Sequence, residues 1–123
     1  MKEKIANHYH HKNDDNFLLI CPKRNTDISW NEKENKISLK KTNARLLDKF
    51  LGRFMKIPEM TTIDLDRFGS AVWKMCDGNN TIKDIGDHLE RKFGDNIKPT
   101  YPRLVEFIIL LHSENLVELN KKE

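Results

Sequence analysis

The stretch from Leu65 to Ile85 constrains the chain most: helix, forced stop, short turn, capped helix. Phe68, Val72 and Met75 sit at helical spacing, and Ala71 and Cys76 widen the apolar stripe. Asp66 is placed to cap the helix start. Gly78 is placed to end it, because only glycine adopts a positive φ cheaply. Thr81 then caps a second helix, with Asp84 three residues on completing a box-like start. None of these residues has the chemistry of a catalyst. Phe68 and Trp73 are expected to be structural, because large aromatics on such a stripe carry burial energy.

Around this segment the pattern is mixed. Residues 1–15 are polar, with His8, His10 and His11 around Tyr9. This reads as a frayed, dispensable, disordered tail rather than a metal site, since no fourth ligand stands at a recognised spacing. Phe17 to Ile20 is a short apolar run ended by Cys21-Pro22, a first strand or a tethered segment. Asp27–Asn31 and Lys36–Lys40 alternate apolar and polar residues and read as two strands joined by Glu32–Asn35. Ile28 and Trp30 would share a face with Ile37 and Leu39. Asn43 to Met55 carries a helical stripe of Leu46, Leu47, Phe50, Leu51 and Phe54. Met60–Leu65 is β-branched-rich and reads as the third strand. Helices are expected over 66–77 and over Ile82–Phe93, the latter stopped by Gly94. Asp95–Thr100 reads as a loop, and a last helix runs from Tyr101 or Pro102 to about Asn115. Leu116–Leu119 is a frayed turn or a short extended piece.

Short strands followed by helices give an α+β class: a small antiparallel three-stranded sheet, then a three-helix bundle, with an extra helix before the third strand. At 123 residues this is one domain, over about residues 16–119. The last helix is over-apolar: Leu104, Val105, Phe107, Ile108, Ile109, Leu110 and Leu111 cover an arc of about 200°. Leu110 falls among polar neighbours there. Burial on two sides is the plain reading; a partner groove along one edge is the sharper one.

The motif L-D-x-x-G-x-x-V-W-x-M-x-D-G-x-x-T-I-x-x-I, read from Leu65 to Ile85, resembles the PqqD family. That family holds the peptide chaperone of pyrroloquinoline quinone biosynthesis and the recognition elements of ribosomally made, modified peptides. The resemblance is best over Met60 to Leu119, about half of the chain. It implies a winged-helix-like domain and an adaptor that captures a precursor's leader peptide by β-strand addition. The adaptor would present that peptide to a modifying enzyme, often a radical-SAM enzyme. By position it implies contacts from Thr61, Thr62, Ile63 and Asp64 on the third strand and from Leu104, Phe107, Ile108 and Leu111 on the last helix. The tail and helix 43–55 depart from the minimal family pattern.

Other classes fit less well. A winged-helix DNA-binding regulator is the alternative, but its reading helix would offer Arg103 as its only cation, beside Glu106 and Glu114. Net charge is +3, from 22 basic and 19 acidic residues, and the cations are scattered. Neither nucleic acid nor a membrane surface is implied. No Gly-rich phosphate loop, metal-ligand spacing or nucleophile–base pattern stands in the chain, so an enzyme and a cofactor are not expected. His88 and His112 are lone helix residues, and Asp64 and Asp66 suit capping at a strand–helix junction. Without an apolar signal core or membrane-length run, a cytoplasmic protein with free Cys21 and Cys76 is expected. Open strand edges also suit self-pairing into a homodimer.

Overall fold

The computed structural model describes residues 14–42 and 60–121. The expected tail and the expected helix 43–55 lie outside these residues, apart from the tail's last two. In order, the elements are α1 (Asp14–Leu18), β1 (Ile20–Arg24), β2 (Ser29–Lys33), β3 (Lys36–Thr42) and β4 (Met60–Asp64). They continue with α2 (Arg67–Met75), α3 (Ile82–Phe93), a 3-10 turn (Gly94–Ile97), α4 (Thr100–Ser113) and β5 (Val117–Lys121). The class is α+β, as expected. The chain divides into two compact units, one drawn from Met1–Asn25 with Ala71–Glu123 and the other from Thr26–Ser70.

The second unit contains the three-stranded antiparallel sheet, in the order β2-β3-β4. β2 and β3 form a hairpin with Trp30 opposite Leu39 and Glu32 opposite Ile37. The shared face expected for Trp30, Ile37 and Leu39 is therefore present, while Ile28 precedes the strand. The loop is tighter than the expected four residues. Only Glu34 and Asn35 turn the chain, with φ of 54° and 66°. Positive φ at both central residues is the type I′ geometry, whose twist matches that of the strands. β4 then pairs with β3 over Thr42↔Met60 to Ser38↔Asp64. Beyond it, Asp66 caps α2 by accepting the Gly69 amide at 2.8 Å.

The first unit contains α3, α4 and a second, two-stranded antiparallel sheet of β1 and β5. This sheet was not expected, because β1 runs straight through Pro22, which pairs opposite Leu119. The reason lies on the other side of β1. The Arg24 amide donates to the Cys76 carbonyl at 2.8 Å, and the Gly78 amide donates to the Pro22 carbonyl at 3.0 Å. Along a strand, alternate residues turn their backbone groups to the same side. Pro22 thus turns its missing N–H away from β5, where proline is tolerated. Gly78, at φ 87°, belongs to this contact rather than to the helix end at Met75. Arg24 also donates from Nη1 to the Trp73 and Lys74 carbonyls, both at 2.9 Å, satisfying the last turn of α2.

The α3 start is the capping box expected: Thr81 accepts from the Asp84 amide, and the Asp84 carboxylate accepts from the Thr81 amide, both at 3.0 Å. Gly94 ends α3 at φ 66°. Part of the expected loop is a 3-10 turn that buries Ile97. Trp73 is wholly buried, with Val72, Ile82, Ile85, Leu89, Leu104 and Ile108. Phe68 is half-buried. Among the described residues no helix is long and apolar enough to cross a membrane.

Candidate functional site

β4 lies at one margin of its sheet and, among the described residues, pairs with no strand on its second side. The backbone direction of each β4 residue follows from one bond. The Leu65 amide donates to the Ile37 carbonyl at 2.8 Å, and the register continues without a break from Ile37↔Leu65 to Thr42↔Met60. Counting back by two, Thr61 and Ile63 turn their N–H and C=O groups toward β3. Met60, Thr62 and Asp64 turn theirs to the open side.

Side chains alternate between the faces. Ile63, half-buried, stands opposite the buried Leu39. Thr62 and Asp64 are exposed on the other face, opposite Lys40 and Ser38. Thr61 is exposed as well. The Ser38 hydroxyl donates to Oδ1 of Asp64 at 2.7 Å.

The exit of β4 is held by a hydroxyl that sequence reading missed. The Ile37 amide donates to Oγ of Ser70 at 2.8 Å, and that hydroxyl donates to the Leu65 carbonyl at 3.3 Å. Ser70 is buried, so these bonds are not shared with water. It ties the end of the β3–β4 ladder to the first turn of α2. No pattern around Ser70 announces this, because it depends on where the ladder ends in space.

The second expected set stands on α4, in the other unit. Leu104, Ile108 and Leu111 are buried, while Phe107 is half-buried. Leu110 is 52% exposed, as its place on the helix wheel required. Arg103, Glu106, His112 and Ser113 are also exposed along this helix. Among the described residues no three His, Cys, Asp or Glu side chains cluster so as to hold a metal ion.

β4, unpaired on its second side among the described residues, thus runs through the Ser70 tie into α2. The family model described as Coenzyme PQQ synthesis protein D (PqqD) matches residues 55–117, so the chain belongs to the PqqD family. No curated protein and no solved structure matches the chain.

Proposed function

We propose that this chain is a peptide-binding adaptor that captures an extended segment of a precursor peptide on β4 and presents it to a modifying enzyme, of the radical-SAM class in the family's usual pairing. The observation that carries this reading is the edge of β4, unpaired among the described residues, with the backbone groups of Met60, Thr62 and Asp64 turned outward. Family membership supports it. Strand addition uses main-chain hydrogen bonds for affinity and alternate side chains for selectivity. Three outward residues offer about six backbone bonds, each netting roughly 0.5–1.5 kcal/mol. Association costs about 4–15 kcal/mol, so side-chain anchors must add to the backbone. Ile63 on the strand supplies apolar surface beside the edge.

Proline substitution tests the reading. Thr62→Pro removes an outward N–H and should keep the fold while weakening peptide binding at least tenfold. Thr61→Pro and Ile63→Pro remove N–H groups committed to β3 and should destabilise the sheet by roughly 1–3 kcal/mol, since each leaves a ladder acceptor unpaired. Peptide binding is read by calorimetry and folding by circular dichroism. A folded Thr62→Pro variant with undiminished affinity for a precursor segment would rule out β4 as the docking edge.

A further inference from the structure

We propose that Asp64 selects a basic residue in the segment that adds to β4. This rests on the strand-addition reading and goes beyond it to the chemistry of the peptide. Asp64 is exposed at the end of the open strand, and its backbone faces the open side. An added strand lies about 4.8 Å away, with the side chain opposite Asp64 on the same face of the sheet. That residue is the carboxylate's nearest new neighbour.

The carboxylate is oriented but not neutralised. Ser38 holds Oδ1, and Oδ2 has no hydrogen-bond or ion-pair partner among the described residues. Cations stand close by: Lys36 and Lys40 flank Ser38 along β3 and share the face of Asp64 by strand alternation. Neither makes an ion pair with it. A neutral hydroxyl thus fixes one oxygen, and the charge stays uncompensated at the side of β4 that carries no strand among the described residues. A Lys or Arg there completes an opposite-charge cross-strand pair, whereas an Asp or Glu is repelled. An added strand that keeps this sheet antiparallel sets the cation in one register with Asp64, and residues two before and two after it share its face. A charged edge residue can also serve only to discourage edge-to-edge aggregation, and the experiment separates the two roles.

Random twelve-residue peptides displayed on phage are selected on the full chain and on three variants. The wild type should enrich Lys or Arg at one position of the selected strand. Asp64→Asn keeps the acceptor for Ser38 and should lose that preference, and Asp64→Lys should turn it to Asp or Glu. For one selected peptide, changing its base to Ala should weaken binding about two- to fivefold on the wild type and leave it unchanged on Asp64→Asn, the coupling expected of a cross-strand charge pair. If the wild type and Asp64→Asn select the same sequences, Asp64 only guards the edge and the inference fails while strand addition stands. If a folded Thr62→Pro variant selects the wild-type peptides, or the wild type enriches none, strand addition fails and the inference with it.

Discussion

The ring of Tyr101 lies against the backbone of Gly86: a Cβ at Gly86 would come within 2.8 Å of the ring's Cδ1 and Cζ. Helix α3 therefore meets α4 at a point where only glycine fits. In an exposed helix, Gly→Ala stabilises by about 1 kcal/mol. Here the added methyl must displace an aromatic ring whose hydroxyl is bonded to Asp87, and overpacking costs typically 1–3 kcal/mol. Gly86→Ala is expected to lower stability by about 1–2 kcal/mol in urea unfolding, the reverse of the propensity effect. A stabilised variant would show that the ring yields freely.

The same contact sets a pH dependence. Tyr101 donates its hydroxyl to the Asp87 carboxylate, and Lys83 donates to the other oxygen at 3.1 Å. Burial first, and then the Asp87 bond, raise the Tyr101 phenol well above its ordinary 10.0. The Tyr101 bond first, then Lys83, holds Asp87 below its ordinary 3.8. The fold thus keeps the phenol proton, and Tyr101's contribution is full below pH 10.0 and is lost as pH rises toward its folded value. Asp87's contribution is present above pH 3.8 and is lost as pH falls through its lowered folded value. Tyr101→Phe should flatten both limbs of urea midpoint against pH. Unchanged limbs would assign them to other groups.

The hairpin turn is a place to gain stability. Glu34 and Asn35 both hold positive φ, a conformation that costs a non-glycine residue roughly 1–2 kcal/mol, less for asparagine. Asn-Gly is the preferred pair for this geometry. Replacing Glu34 by Asn and Asn35 by Gly should raise stability by roughly 1 kcal/mol, read as an upward shift of the melting temperature. No gain would mean that the turn conformation changes at little cost.

Cys76 should be chemically silent in the folded chain. It is wholly buried, and burial pushes its thiol up to about 12, against a small opposing pull from Arg24. Only the thiolate is nucleophilic. In a Cys21→Ser variant at pH 8, a disulfide reagent should react with Cys76 only once urea unfolds the chain. Rapid native reaction would show local opening around Arg24 and Asp77.

The local punctuation of this chain was legible from its residues. The Thr81–Asp84 box, the Asp66 cap, the stop at Gly94 and the shared face of Trp30, Ile37 and Leu39 depend on contacts a few residues apart or on strict alternation. The position of β4 was legible for the same reason. What sequence reading left open was which of its backbone groups face outward, since that depends on the bond from Leu65 to Ile37, made across the ladder. On α4, burial was the plain reading and a partner groove the sharper one, and the sequence did not divide the residues between them; Leu104, Ile108 and Leu111 are buried, while Phe107 is half-buried. An apolar side chain for a core and one for a partner look alike until the packing is known.

By itself, then, the sequence determined the α+β class, the hairpin, β4, the last three helices to within about two residues and the family, because caps, glycines and periodicity act within one or two turns of chain. Tertiary structure alone decided the rest. It paired β1 with β5, at opposite ends of the described chain, by turning Pro22 to the side where an N–H is not needed. It also chose Gly86 as the floor beneath Tyr101, and it left Asp64 with one oxygen held by Ser38 and the other open. Each of these is a meeting of residues distant in sequence. Its geometry is set by the register of strands and the approach of helices, and no local pattern encodes that.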